Sequence, residues 1–273
     1  KSILYAYLNY VKAIFEENQK GATEVLQIVS QKQFNNPHKR RLNSELLKSF
    51  SIDLVENLSK KLNQKIYFEN YFKMGTPLVS LSKGIDPDTL ELSDDSFFNL
   101  FPNHKELITF LSGPSFAKEI MMEQITLVSL AGRSRRVLLN IAAMLEAPYF
   151  KVFSNYDVKG LLLGGALKNV LAISGGILEG LGYNYNTRAA MITRGIAEML
   201  RFGKVLNARP ETFYGLSGMG DLILTTTGDL SRNKAFGLEI AKGKSPEDII
   251  KGQRTVVEGY KTTKAAHLLS IKY

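Results

Sequence analysis

The 273-residue sequence contains no cysteine. Disulfides, thiolate nucleophiles and cysteine-based zinc sites are therefore excluded, and the redox compartment stays open. Only three histidines occur, His38, His104 and His267, and no pair has the spacing of metal ligands. That argues against a histidine base or a zinc centre. Glycine is scarce at the start, where residues 1–74 hold only Gly21. No window offers the roughly 18 uncharged apolar residues that a membrane helix needs. The longest candidate, residues 160–178, is glycine-rich and carries Lys168 in its middle. The first residues show no small-residue cleavage pattern of a secretory leader, so a cytoplasmic location is expected. No repeat of the solenoid kind is present.

Hydrophobic residues make up 44% and charged residues 22%. These are globular values, and at about 150 residues per domain the length suits one large or two smaller domains. With 35 basic and 26 acidic residues the net charge is +9, which favours anionic partners without choosing among them. The basic residues cluster only at 38–41 and 133–136. Neither cluster has interleaved aromatic residues for base stacking, so both read as solvated faces and a nucleic-acid partner is not expected.

Residues 3–17 and 45–64 space their apolar residues at three and four, as surface helices do. From residue 75 short β-prone runs begin, at 77–81, 107–111, 125–130 and 149–153. An apolar helical run at 135–145 separates the last two, which is the pattern of a βαβ crossover. Beyond residue 154 long helical patterns take over, at 158–181, 188–206, 231–242, 246–251 and 257–269. The expected architecture is an α/β domain over 1–153 followed by a helical domain over 154–273.

Lys168 is the most informative residue, because it is the only charged side chain between Lys159 and Glu179. Poor solvation favours the neutral amine, and an amine poised between its two forms can exchange a proton at physiological pH. The competing reading is a lysine that snorkels to water from a buried helix. Asn169 beside it is a candidate orienting group. The turn 218–220 delivers Asp221 ahead of an apolar run, where it could pair with Lys168 or simply cap a helix. The stretch 229–234 opens a helix with Ser231, Arg232 and Asn233, a composition suited to phosphate or to ordinary capping. Lys83, Gly113 and Ser115 follow strand patterns, at the ends where ligands of open α/β sheets collect.

Together the runs 81–85, 112–119, 164–170, 218–222, 230–233 and 257–259 resemble the NAD(P)-dependent glycerol-3-phosphate dehydrogenases, most closely the bacterial type, from about residue 75 onward. The resemblance implies a Rossmann-like, doubly wound N-terminal domain and an all-helical C-terminal domain. It implies reversible reduction of dihydroxyacetone phosphate to sn-glycerol 3-phosphate with NAD or NADP, supplying glycerolipid precursors. Lys168 would then be the proton donor or acceptor, with Asp221 close to it. Substrate contacts would fall on Lys83, Gly113, Ser115, Lys168, Asp221, Ser231, Arg232 and Asn233. Cofactor contacts would fall on Lys83, Ala117, Arg232, Val256 and Glu258. No metal is implied, and a homodimer is left open.

The sequence departs from this pattern in two respects. It stops at Ile271, Lys272 and Tyr273, soon after the Glu258 motif, where family members continue with more helix. The Gly-x-Gly-x-x-Gly turn that approaches a pyrophosphate is absent from all 273 residues. The expectation is a chain that represents part of a longer protein. The alternatives are a divergent N-terminal region in a weak enzyme, or a phosphometabolite-binding module without turnover.

Overall fold

The computed structural model describes residues 71–252 and 257–272. The helices expected at 3–17 and 45–64, the basic cluster at 38–41 and Val256 lie outside the described residues. The chain divides into two compact units. Among the described residues the first contains 71–82, 98–111 and 115–156, and the second contains 83–97 and 112–114 together with everything from Asp157 onward.

In the first unit four strands, β1 (Leu78–Ser80), β2 (Ile108–Ser112), β3 (Thr126–Gly132) and β4 (Phe150–Asn155), form one sheet in that spatial order among the described residues. β1 pairs with β2 and β3 with β4 in parallel. Helix α1 (Ser93–Leu100) precedes β2, α2 (Ala117–Met121) follows it, and α3 (Arg135–Leu145) crosses from β3 to β4. The crossover starts where Ser134 accepts a hydrogen bond from the Val137 N–H, a cap that satisfies one orphan donor of the first turn. Val137, Leu138, Ile141 and Leu145 recur at helical spacing and bury against Val128, Leu130 and Val152 of the sheet.

The second unit is helical. It comprises α4 (Val158–Gly180), α5 (Tyr185–Val205), α6 (Pro210–Tyr214), α7 (Asp221–Thr227), α8 (Arg232–Ala241), α9 (Pro246–Gly252) and α10 (Glu258–Lys272). α4 is its axis. Asp157 caps it by accepting from Gly160 N–H at 2.9 Å, and its second carboxylate oxygen accepts from Arg209 N–H at 2.8 Å. α4 is the described helix long and apolar enough to cross a membrane, but 72% of its apolar window is buried inside the protein. It is therefore apolar because other helices surround it. Its closest neighbour, α8, approaches backbone to backbone. A Cβ on Gly176 would lie 2.0 Å from the Lys234 carbonyl oxygen, and one on Gly237 would lie 2.1 Å from that of Ile173.

Four elements differ from the sequence expectation. α1, α2, α6 and α7 are short helices that the sequence pattern did not assign, and Asp221 is the first residue of α7, which Gly220 precedes as its cap.

Candidate active site

Lys83, Lys168 and Asp221 all belong to the second unit, and its fold brings them together. Asp221 is 1% exposed and Lys168 is 7% exposed. The Lys168 ammonium donates to Asp221 Oδ1 at 2.5 Å, and the Lys83 ammonium donates to Asp221 Oδ2 at 3.2 Å. One buried carboxylate thus serves two cations through its two oxygens.

The approach of α7 to α4 explains why Asp221 reaches Lys168. The chain between α6 and α7 makes one wide π-type turn over Leu216–Gly220, a rare backbone that concentrates at functional sites. This turn lies directly on α4, because a Cβ on Gly164 would meet the Ser217 carbonyl oxygen at 2.6 Å. Gly164 sits one turn before Lys168 on the same helix, so the bare backbone there lets Asp221 approach. Thr225, one turn after Asp221 on α7, completes the contact. Its hydroxyl accepts from Lys168 Nζ at 3.1 Å and donates to the Asp221 backbone carbonyl at 2.6 Å. Thr225 escaped the sequence reading. The available signal was its position four residues after Asp221, on the same face of a helix.

The two amines differ electrostatically. Burial pulls the Lys168 pKa down, the neighbouring Lys83 cation pulls it further, and Asp221 and Glu258 oppose them, leaving it at about 8. For Lys83 burial also works downward, but the charges of Asp221 and then Glu258, with the Asp221 hydrogen bond, outweigh it and hold the pKa above the ordinary lysine value. Lys83 is therefore a permanent cation at neutral pH, whereas Lys168 can exchange its proton there.

A second polar chain leads away from Lys168. Asn169 Nδ2 donates to Glu258 Oε2 at 3.1 Å, Asn233 Nδ2 donates to Asn169 Oδ1 at 2.9 Å, and Gly259 N–H donates to Asn233 Oδ1 at 3.0 Å. The first turns of α8 and α10 are thereby tied to α4 beside Lys168. Ser231 caps α8, accepting from Lys234 N–H at 3.2 Å. Arg232 is exposed at the first turn of that helix. Gly113 and the Ser112 hydroxyl belong to this unit as well, and Ser112 Oγ is buried without a hydrogen-bond partner among the described residues. Ser115 and Ala117 belong to the sheet unit, where Ala117 opens α2. No cluster of metal-ligating side chains occurs among the described residues.

Comparison with known proteins covers most of the chain. Residues 44–137 match the description "NAD-dependent glycerol-3-phosphate dehydrogenase N-terminus", and residues 157–273 match "NAD-dependent glycerol-3-phosphate dehydrogenase C-terminus". A glycerol-3-phosphate dehydrogenase (NAD(P)+) of Syntrophotalea carbinolica is 46% identical over 203 residues, covering 74% of this chain and 61% of the relative. One of Citrifermentans bemidjiense is 47% identical over 196 residues, covering 71% of this chain and 58% of the relative. The crystal structure of glycerol-3-phosphate dehydrogenase from Coxiella burnetii matches with a TM-score of 0.65 at 34% identity, over 72% of this chain and 60% of that one. The chain thus spans about three fifths of the length of the curated relatives it matches.

Proposed function

Because the chain belongs to the NAD-dependent glycerol-3-phosphate dehydrogenase family, we propose that it serves the reversible reduction of dihydroxyacetone phosphate to sn-glycerol 3-phosphate with NAD(H) or NADP(H). We place this activity in the cytoplasm, feeding glycerolipid synthesis. The sheet-bearing half would bind the dinucleotide and the helical half the substrate. The observation that carries the reading is the pairing of Lys168, held near a pKa of about 8, with a buried carboxylate it shares with Lys83.

The residues present fit the reactive end of a nicotinamide cofactor. The buried Ser112 hydroxyl, without a described partner, marks the carboxyl end of β2, where ligands of such sheets collect. By family resemblance Lys83, Ala117, Arg232 and Glu258 would hold the cofactor, together with Val256. The bound nicotinamide would supply a hydride to the substrate carbonyl carbon.

Everything else falls to the chain itself. Lys83, always charged, polarises the carbonyl and stabilises the oxyanion as it forms. The Lys168 ammonium gives that oxygen its proton and becomes a neutral amine, which takes a proton back from the alcohol in the reverse direction. Asp221 and Thr225 hold the Lys168 side chain in place for both steps. Arg232 and Asn233, with the Ser231 cap, meet the phosphate at the start of α8, where free N–H groups and a guanidinium favour a dianion.

The test is oxidation of NADH, and separately NADPH, by dihydroxyacetone phosphate, followed through loss of nicotinamide absorbance. Turnover is expected, and Lys168→Met is expected to lower kcat by about 10²- to 10⁴-fold, the usual contribution of a positioned acid. Wild-type activity surviving in Lys168→Met would remove the amine from the mechanism.

A further inference from the structure

Lys234 is a buried lysine for which the proposed chemistry has no use. It is 4% exposed, although lysine is almost never buried unless paired. Its ammonium has three N–H donors, and all three have acceptors. Thr227 O lies at 3.2 Å, Asp229 Oδ1 at 3.0 Å and Glu179 Oε2 at 3.1 Å. Arg188 of α5 holds the same Glu179 oxygen at 2.5 Å.

The significance lies in where those acceptors sit. Thr227 is the last residue of α7, the helix that opens with Asp221 and carries Thr225. Asp229 belongs to the turn that joins α7 to α8. Lys234 itself lies on the first turn of α8, two residues beyond Arg232, and Glu179 lies on the last turn of α4. The glycine contacts between α4 and α8 already stop α8 from sliding along α4. What they and the bond from Asn233 to Asn169 leave to Lys234 is the turn 228–231, which sets the spacing between the end of α7 and Arg232 at the start of α8. We propose that Lys234 is a positioning residue that fixes this spacing, so that a substrate anchored by its phosphate at Arg232 and Asn233 presents its carbonyl at Lys168. The proposal rests on the function argued above, since it takes the start of α8 as the phosphate end. It adds a residue that touches neither substrate nor cofactor.

The test compares Lys234→Met, which keeps the stem and removes the ammonium, with wild type. The KM for dihydroxyacetone phosphate is expected to rise about tenfold, the equivalent of one lost charge-assisted contact at the phosphate. Calorimetric affinity for inorganic phosphate should fall in parallel. The pH midpoint of kcat should stay where Lys168 and Asp221 put it, and Lys234→Arg should recover most of the lost affinity. An unchanged KM, or a fall in kcat alone through a smaller active fraction, would reduce Lys234 to a fold-stabilising ion pair and overturn the proposal. Should Lys234→Met fail to fold, Asp229→Asn alters only a surface partner that is 96% exposed in its side chain. That variant should still raise the KM two- to threefold, on the order expected for one weakened ion pair, and an unchanged value there also overturns the proposal. Absence of turnover in wild type would instead strike the proposed reaction and leave the phosphate-binding comparison to decide the role of Lys234.

Discussion

At the scale of single residues the site is a problem of charge placement. Two ammonium groups and one buried carboxylate carry a net positive charge if both amines are protonated, and Lys168, the more buried amine, is the one that yields. Its folded pKa of about 8 lies below the ordinary lysine value, which sets the sign of the pH dependence. In the proposed reaction reduction needs the ammonium, so its kcat should be full below pH 8 and fall as pH rises through it. Oxidation needs the neutral amine, so its kcat should rise through the same midpoint. Steady-state pH profiles in the two directions test this, and parallel profiles would count against Lys168 as the titrating group. Asp221→Asn removes the carboxylate that favours the ammonium. Lys168 should then titrate at least about one unit lower, and the midpoint of both profiles should move to more acidic pH; an unmoved midpoint would assign the titration to another group. Lys168 was legible in the sequence because it interrupts an uncharged run. Thr225 and Lys234 were not, since a threonine among three consecutive threonines and a lysine two residues after an arginine carry no signal until the helices holding them are known.

At the scale of elements, the long amphipathic or apolar segments could be read directly. Residues 135–145 form α3 over that same range, and α4 starts where the sequence placed it. The short helices between residues 210 and 227 could not be read. Gly215, Gly218 and Gly220 together with the threonines at 225–227 are poor helix formers, and packing on α4 overrides their propensity. That packing runs through Gly164, whose Cβ would stand 2.6 Å from a fixed backbone oxygen. Gly164→Ala should therefore destabilise the protein by about 1–3 kcal/mol and lower kcat, because the turn that carries Asp221 must retreat. Gly175→Ala on the same helix is the control. Its nearest neighbour is the Met191 terminal methyl at 3.2 Å, which can move, so the gain in helix propensity of roughly 0.5–1 kcal/mol should offset the contact. Thermal unfolding of both variants with kcat measured alongside separates the cases. Equal losses in the two would mean that the approach at Gly164 is not specific to the site.

At the scale of the whole molecule, the succession of strands followed by helices announced an α/β fold with a helical part, and the chain forms one sheet-bearing unit and one helical unit. The sequence could not announce that residues 83–97 and 112–114 leave the sheet unit to join the helical one. That exchange brings Lys83 into the same unit as Lys168 and Asp221, and no local pattern encodes it. The net charge of +9 also acts at this scale. It attracts a phosphate ester from solution, over a distance set by the Debye length of about 30 Å at 0.01 M salt and about 8 Å at 0.15 M. Raising ionic strength over that range should lower kcat/KM for dihydroxyacetone phosphate several-fold, on the order of the electrostatic effects on association known for charged sites. The kcat itself should hardly change, because the buried contact between Lys168 and Asp221 is screened far less. Steady-state kinetics in sodium chloride provide the measurement. A kcat that falls in step with kcat/KM would mean that salt reaches the buried pair, and would contradict the 1% exposure of Asp221 on which its role depends.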